Sequence, residues 1–173
     1  MYHAPQPPSP KEMLLEFTEL PKFLLAKTYF DCREFDRCYS TLKECASSKS
    51  RFLAQYARYM SGEKRKEEEM EMVLGPLDGA PTPNRELLNV IADLEDIFVE
   101  WKKEGKHGRE LEEDSWLLFL YGIVLRKQGN EVEATNALIK SVRVYPWNWS
   151  AWTELGIMVG TLDEVWLSQG NPA

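Results

Sequence analysis

The stretch SWLLFLYGIVLRKQGNEVEATNALIKSVRVYPWNW, residues 115–149, decides the fold of this chain. Apolar and small residues recur at helical spacing in both of its halves, and Gln128-Gly129-Asn130 separates the halves. Tyr145-Pro146 ends the second half, because proline cannot continue a helix. Gly122 costs roughly 1 kcal/mol inside a helix, which is easiest to explain if a second helix passes close by. The stretch therefore predicts an antiparallel helical hairpin.

The same stretch matches the tetratricopeptide (TPR) repeat pattern when Ser115 is taken as its first position. The matching residues are Leu118, Tyr121, Gly122, Leu125, Ala134, Leu138, Ser141 and Pro146. Another hairpin starts in phase at Trp149, and an earlier one starts at Glu19. These matches predict an all-α fold of antiparallel helical hairpins, the TPR repeats, stacked into a right-handed superhelix. An ordinary hairpin in a globular helical bundle is the alternative.

The phase of the repeats divides the chain into a tail and one array. Residues 1–18 are predicted to form a proline-rich tail and an amphipathic lead-in, and residues 19–173 a single TPR array. The repeats are predicted at about 19–52, 53–104 (irregular), 115–148 and 149–173 (partial). Because repeat arrays end in a polar helix and this one does not, the chain is predicted to be a fragment of a longer array.

Local signals give the helix bounds outside the central hairpin. In the first repeat, helices are predicted at Leu20–Phe30, with Pro21 in the first turn, and at Phe35–Ala46. In the second they are predicted at Arg51–Met60, after which Ser61-Gly62 turns, at Glu63–Val73 and at Asn84–Lys103. An apolar stripe is predicted on the last of these: Leu87, Leu88, Ile91, Leu94, Phe98 and Trp101. The helix after Trp149 is predicted to reach Val159, with a turn at Gly160-Thr161 and a new helix at Leu162–Leu167.

The composition argues against several classes of protein. A net charge of −7 disfavours nucleic-acid binding through a broad basic face. No apolar run reaches about 18 residues, so no membrane span is expected, and residues 1–10 lack the apolar core of a signal peptide. Cys32, Cys38 and Cys45 are odd in number and lack CxxC spacing, which predicts reduced thiols. Cys38 and Cys45 fall where two helices should touch, so they are predicted to be packing residues.

Catalytic and metal-binding patterns do not stand out. His3 and His107 fall in a tail and a loop, and neither has a Cys, Asp or Glu at metal-ligand spacing within a helix. The GxSxG, HExxH, Walker and GxGxxG motifs are missing from the sequence. The carboxylates fall on predicted solvent faces beside lysines, whereas an acid of raised pKa needs an apolar pocket. The chain is therefore predicted not to be an enzyme and to have no catalytic residue, metal or cofactor.

The concave groove formed by the first helices of the repeats is predicted to be apolar. Its lining residues are Leu20, Phe23 and Phe30 in the first repeat and Trp116, Phe119 and Ile123 in the repeat that starts at residue 115. Such a groove should not stay open to water, so it predicts a helix as its occupant. The first hypothesis is a homodimer in which each protomer's first repeat enters the other's groove. These six residues are then the predicted homodimer interface.

Two other occupants of the groove remain open. The helix Asn84–Lys103 or the lead-in segment could cover it within one chain. Alternatively, the chain could be a stand-alone TPR adaptor that captures a short peptide. A co-chaperone TPR that grips a C-terminal carboxylate would have Lys, Asn and Arg in the groove, and this chain mostly does not.

Several stretches resemble one family. They are AKTYFDCREFDRC (26–38), YARYMSGEKRKEEE (56–69), LGPLDG (74–79), LYGIVLRK (120–127) and VYPWNWSAWTEL (144–155). They are similar to the N-terminal half of the TPR subunit 8 family of the anaphase-promoting complex, or cyclosome. The generic TPR pattern does not dictate the SGEKRKEEE and LGPL segments, so they make the resemblance specific.

The resemblance implies a scaffold subunit of a multisubunit E3 ubiquitin ligase that acts on mitotic regulators. It implies a location in the nucleus (and cytoplasm), partners among the other subunits of the complex, and a homodimer formed through the N-terminal repeats. Residues for ubiquitin transfer belong to other subunits of that complex, so no catalytic position is implied in this chain.

Overall fold

The computed structural model describes residues 9–71, 83–105 and 114–168. Within these ranges it contains seven α-helices and no strand. They are α1 (Pro10–Asp31), α2 (Phe35–Leu42), α3 (Ser48–Glu71), α4 (Leu87–Gly105), α5 (Ser115–Gln128), α6 (Glu131–Val144) and α7 (Trp149–Ser168). This confirms the predicted all-α, TPR-type fold, while the right-handed superhelix stays a prediction. In the ranges described, none of the helices is both long and apolar enough to cross a bilayer.

The chain divides into two compact units, Met1–Arg109 and Glu110–Ala173. Helices α1 to α4 belong to the first unit and α5 to α7 to the second.

In the second unit, the α5–α6 hairpin has the bounds that its sequence predicts. Asp114 caps α5, because its Oδ1 accepts hydrogen bonds of 2.8 Å from the backbone N–H groups of Trp116 and Leu117. Burial raises the pKa of this carboxyl, although both N–H donors favour its ionised form. Gly129 ends α5 at φ 92°, a left-handed conformation that glycine adopts without steric cost. Local chemistry therefore fixes this hairpin at both ends of its first helix.

Gly122 allows α5 and α6 to approach closely. This confirms the prediction, made from a glycine inside a helix, that a second helix passes close by. A Cβ atom at this position would lie 2.7 Å from Leu138 Cγ and 3.2 Å from the Ala134 carbonyl oxygen. The two helices bury an apolar core made of Leu117, Leu118, Leu120, Val124, Leu125, Ala134, Ala137, Leu138 and Val142.

Asn148 joins the three helices of the second unit. It is fully buried, and its Nδ2 donates to Ser115 Oγ at 3.1 Å and to Ser141 Oγ at 3.2 Å. Its Oδ1 accepts a hydrogen bond from the Ala151 N–H in the first turn of α7. The sequence pattern predicts Ser141 only as a small residue between helices, and its hydrogen bond to the Ser115 carbonyl (2.7 Å) adds a polar role.

Helix α7 runs unbroken from Trp149 to Ser168. The predicted turn at Gly160-Thr161, and with it a separate helix Leu162–Leu167, is wrong. Glycine and threonine are weak helix formers rather than breakers, so neighbouring turns can carry the helix through them.

In the first unit, α1 begins at Pro10 instead of Leu20, and the predicted helix start is wrong. Ser9 Oγ accepts a hydrogen bond from the Glu12 N–H, and Pro10 lies in the first turn, whereas Pro21, which was predicted to lie there, is inside the helix. Glu12 and Glu19 tie the early turns to the start of α3. Glu12 Oε1 accepts from the Ser48 N–H and Glu19 Oε1 from the Ala46 N–H, both at 2.6 Å. These contacts attach the part of α1 that precedes Pro21 to the start of α3.

Helix α3 continues through Ser61-Gly62, where the sequence predicts a turn. The predicted turn is wrong because Gly62 serves a different purpose: the side chain of Asn84 packs directly against the helix backbone there. A Cβ atom on Gly62 would lie 1.8 Å from Asn84 Oδ1. Asn84 Nδ2 donates to the Tyr59 carbonyl and to Glu63 Oε1, and its Oδ1 accepts from the Glu86 N–H.

Gly62→Ala is therefore expected to lower the free energy of unfolding by about 1–3 kcal/mol, although alanine favours a helix by about 1 kcal/mol. The added methyl group must displace the Asn84 side chain from its hydrogen bonds. Asn84→Ala should cost about 1–2 kcal/mol alone, and Gly62→Ala added to it should cost nothing further. Urea unfolding of the two single variants and the double variant measures this coupling. Additive losses would contradict the contact.

Helix α4 begins at Leu87, three residues after the predicted start, because Asn84 serves as the contact with α3. Its buried residues are Leu87, Val90, Ile91, Leu94 and Ile97. The predicted stripe is thus wrong in including Leu88, which is exposed. Phe98 and Trp101 are half-buried and contact each other at 5.0 Å between ring centroids.

Helix α2 ends at Leu42, four residues before the predicted Ala46. Cys38 and Cys45 are buried in the core of the first unit, as predicted, and Cys32 is exposed. Burial raises the pKa of the Cys38 thiol to about 11, so this thiol stays protonated and acts as a packing residue.

Candidate functional site

The outer face of α1 carries an exposed row of large apolar side chains. Met13, Phe17, Leu20 and Leu24 follow one another at spacings of four, three and four residues, so they lie along one face of the helix. Their exposed fractions are 58%, 76%, 43% and 53%. We call these four residues the α1 seam. Leu14 and Leu25, also exposed, widen it on one side.

The opposite face of α1 packs onto α2 and α3. Ala26 is fully buried in the core cluster, and Glu12 and Glu19 bind the N-terminal end of α3. Helix α1 is thus firmly attached by one face and apolar on the other. A contiguous row of exposed apolar side chains marks an interaction site in soluble proteins.

The structure separates the three predicted interface residues of the first unit. Leu20 lies on the α1 seam. Phe23 is half-buried, with Lys49 Nζ 5.1 Å from its ring centroid. Phe30 packs inward, with its ring centroid 5.2 Å from that of Phe35 and 5.5 Å from that of Tyr56. Only Leu20 of the three therefore lies on an open apolar face.

In the second unit, the three predicted interface residues lie along α5. Trp116 is exposed and meets Phe119 edge to face, with 6.2 Å between ring centroids. Phe119 and Ile123 are half-buried. One turn after Ile123, Arg126 Nη2 lies 2.8 Å from Glu154 Oε2 of α7, so an ion pair borders this face. Only Trp116 of these three residues is exposed, whereas all four residues of the α1 seam are.

Met13, Leu14, Phe17 and Leu24 are candidate site residues that the sequence interpretation missed. The signal was available, because the spacing of the α1 seam is already present in residues 13–24. Starting the helix at Leu20 hid it by assigning half of the seam to a separate lead-in segment.

The helix Asn84–Lys103, one of the predicted covers of the groove, packs on α3. Arg58 of α3 binds Glu86 at 2.9 Å and Asp93 at 2.7 Å, and Gln55 Nε2 donates to Asp93. Leu20, on the outer face of α1, remains exposed. The helix Asn84–Lys103 therefore covers a face of α3 and leaves the α1 seam exposed.

Glu19 and Asp36 of the first unit are held by hydrogen bonds and an ion pair. Burial would raise the pKa of Glu19, but hydrogen bonds from Ser47, Ala46 and Ser50 lower it below its ordinary value. The Ser61 hydroxyl and Arg65 lower the pKa of Asp36 despite its partial burial.

His3 and His107 lie outside the described residues. Over residues 9–71, 83–105 and 114–168, no group of three or more His, Cys, Asp and Glu side chains is arranged to hold a metal ion.

Comparison with known proteins gives one family. The model of the family "Anaphase promoting complex subunit 8 / Cdc23" matches residues 2–170. An Arabidopsis thaliana protein named anaphase-promoting complex subunit 8 is 48% identical over 133 residues, which cover 77% of this chain and 21% of that protein. The Homo sapiens cell division cycle protein 23 homolog is 38% identical over 151 residues, covering 87% of this chain and 23% of that protein.

A more distant relative is the Saccharomyces cerevisiae anaphase-promoting complex subunit CDC23. It is 27% identical over 187 residues, covering 88% of this chain and 30% of that protein. The chain thus spans between about a fifth and a third of the length of these relatives.

Proposed function

The chain belongs to the anaphase promoting complex subunit 8 / Cdc23 family, and from this premise we propose that it is a non-catalytic TPR scaffold segment of the anaphase-promoting complex, an E3 ubiquitin ligase of the cell cycle. It homodimerises through its N-terminal helices. Its further partners are other subunits of the complex, and its location is the nucleus and cytoplasm. The names of the relatives support the place in the complex, and the location rests on the family resemblance.

The observation that carries the homodimer is the exposed α1 seam. Phe17 is 76% exposed in the middle of this row, on a helix whose other face packs into the core of the first unit at Ala26. A scaffold helix of this kind gains by burying its apolar face against a second surface, at about 25 cal/mol per Å² of apolar area removed from water.

The non-catalytic role is supported by how the polar groups of the first unit are used. Glu12 and Glu19 bind the start of α3, Glu86 and Asp93 bind Arg58, and the buried thiol of Cys38 packs in the core. Acid–base catalysis needs a group whose pKa lies near neutrality beside a substrate pocket, and these carboxylates are committed to ion pairs and caps. Ubiquitin transfer would then be carried out by other subunits of the complex.

Sedimentation equilibrium of the 173-residue chain tests the proposal. The wild-type chain is expected to have twice the monomer mass at micromolar concentration. Phe17→Glu introduces a charge into the centre of the seam and should weaken self-association at least about 30-fold, the effect of losing an aromatic anchor worth about 2 kcal/mol. Because Phe17 is exposed, the helical content measured by circular dichroism should stay unchanged.

Val132→Glu is the matched control, since Val132 is 75% exposed on α6 and lies outside every candidate surface. It should leave the dimer mass unchanged. A wild-type chain that stays monomeric at micromolar concentration would refute the homodimer. If that monomer captured a defined short peptide on the Trp116–Phe119 face, the stand-alone adaptor function would replace the scaffold.

A further inference from the structure

Large apolar side chains lie exposed where α6 passes into α7 in the second unit. Val144, Trp147, Trp149 and Trp152 have exposed fractions of 44%, 64%, 79% and 47%. The TPR pattern assigns Trp152 to packing, as the large residue at its fourth position, but it assigns no role to Trp147 or Trp149. Packing of the repeat therefore does not explain these two tryptophans. We call Val144, Trp147 and Trp149 the tryptophan patch.

The turn that carries the patch is held in place from its inner side. Asn148, between the two tryptophans, is fully buried, and both of its polar side-chain atoms form hydrogen bonds within the unit. Trp152 Nε1 donates to the Pro146 carbonyl oxygen at 2.9 Å. Trp147 and Trp149 thus project from a fixed backbone, so a partner that binds them has little of this turn to order.

The charges beside the patch are positive. From residue 134 to residue 153 the sequence contains Lys140, Arg143 and no acidic residue, in a chain of net charge −7. Both cations are exposed and lie three residues apart on one face of α6, and neither forms an ion pair with any residue that the structure describes. The first turn of α7, where a helix favours anions, has no acidic residue either.

We propose that the tryptophan patch, together with Lys140 and Arg143, binds an acidic segment of another protein chain. A large apolar side chain of that segment packs on Trp147 and Trp149, and the carboxylates that flank it pair with Lys140 and Arg143. This inference needs neither the homodimer nor the α1 seam, because all of these residues lie in the second unit.

Two other kinds of partner match the patch less closely. Tryptophan rings also stack with the bases of single-stranded nucleic acid, but such binding depends on a cationic groove along the backbone. Two cations in a chain of net charge −7 do not provide that groove. A basic segment would be attracted to the faces of the tryptophan rings but repelled by Lys140 and Arg143. An acidic segment with an apolar anchor complements both parts of the surface.

A peptide array tests the proposal with the 173-residue chain. Its probes are synthetic peptides in which a leucine or phenylalanine anchor is flanked by glutamates, and matched arrays replace every glutamate by glutamine or by lysine. The wild-type chain is expected to bind the best glutamate peptide at least about tenfold more tightly than its two matched peptides, as measured by fluorescence anisotropy. Equal binding of the three, or no binding of any glutamate peptide, would overturn the proposal. Tighter binding of an oligouridylate would assign the patch to nucleic acid and would also overturn it.

Substitutions locate the binding surface. Trp149→Ala is expected to weaken binding of the best glutamate peptide at least about 30-fold, the effect of losing an aromatic anchor, and Arg143→Glu at least about tenfold. Lys127→Glu is the matched control, because it changes the charge equally on an exposed residue at the other end of the α5–α6 hairpin, about 20 Å away. That distance exceeds the Debye length of about 8 Å, so the affinity should stay the same. Equal losses in both charge variants would mean a general attraction of charge and would contradict a site at the patch.

Two further measurements separate this surface from the homodimer. Trp149→Ala should sediment with the mass of the wild-type chain, and its circular dichroism should be unchanged, because Trp149 is 79% exposed. A lower mass would make a second copy of the chain the occupant of the patch and would overturn the proposal. Phe17→Glu should bind the glutamate peptide as the wild-type chain does, so failure of the homodimer and failure of this surface give different results.

Discussion

Leu138→Ala is expected to lower the free energy of unfolding by about 3 kcal/mol, within the range of about 2–5 kcal/mol for buried leucines. Leu138 is completely buried and fills the space above Gly122 where α5 and α6 are closest. Removing its side chain leaves a cavity, because the backbones of the hairpin are held apart by the remaining core residues. Urea unfolding, followed by circular dichroism, measures the loss.

A second substitution tests whether Gly122 and Leu138 act as a pair. Gly122→Ala alone should destabilise by about 1–3 kcal/mol, because its Cβ would lie 2.7 Å from Leu138 Cγ. In the Leu138→Ala background only the Ala134 carbonyl oxygen stays close to the new Cβ, at 3.2 Å, so the helix propensity of alanine, worth about 1 kcal/mol, should offset most of the remaining cost. The loss caused by Gly122→Ala is expected to fall to near zero in that background.

Gly156→Ala provides the matched control. Gly156 occupies the same position in its TPR repeat as Gly122, but a Cβ atom there has no other atom within 4 Å among the residues described. It should stabilise by up to about 1 kcal/mol in either background. If Gly122→Ala behaved like Gly156→Ala in the wild-type chain, the close approach of α5 and α6 would be disproved.

The hairpin around Gly122 could be predicted from the sequence because its signals are local. Asp114 caps the first helix, Gly129 ends it in a left-handed conformation, and Pro146 follows the second helix. Each acts through its own backbone geometry or its nearest neighbours, so a pattern along the chain contains the information. The bounds of α5 and α6 follow directly.

The first unit was harder to predict because contacts between distant residues override its local signals. Pro21 and Ser61-Gly62 both suggest a helix boundary, and both lie inside helices. Glu19 reaches Ala46 across 27 residues, and Asn84 reaches Tyr59 across 25. The local sequence contains no signal that predicts these hydrogen bonds.

The same limit explains the candidate site. Leu20 and Phe30 were predicted to line the same groove, but Leu20 is exposed on the α1 seam and Phe30 packs against Phe35 and Tyr56. The periodicity indicates that both faces of α1 are apolar, but it does not indicate which face packs into the core. The positions of α2 and α3 decide that, and they leave the α1 seam outside.

Arg58→Met is expected to lower the free energy of unfolding by about 2 kcal/mol near pH 7. The Arg58 guanidinium binds Glu86 at 2.9 Å and Asp93 at 2.7 Å, and lies over the Tyr39 ring at 5.0 Å. Methionine keeps the apolar stem but leaves two partly buried carboxylates without this counter-charge. Removing one partner of a fully buried pair costs about 3–5 kcal/mol, and the partial exposure of these groups reduces that figure.

The size of this loss should depend on pH. Burial tends to raise the pKa of Glu86, but hydrogen bonds from Asn89 and Arg58 and the charges of Arg58 and Arg65 lower it below its ordinary value of 4.5. A carboxyl whose pKa is lowered by folding stabilises the folded state above its unfolded pKa, and this stabilisation is lost as the pH falls through the folded pKa. Without Arg58 that contribution shrinks, so the difference between wild type and Arg58→Met should be largest near neutral pH and smaller at pH about 3.

Arg51→Met is the control, because Arg51 makes a similar ion pair of 2.9 Å from α3 to α4, but its partner Glu100 is 57% exposed. Exposed pairs contribute about 0–1 kcal/mol, so this variant should lose little stability at any pH. Urea unfolding of both variants at the two pH values separates the possibilities. An Arg58→Met loss that is equal at both pH values would mean that packing against Tyr39, and not the charge of Arg58, holds α4 on α3.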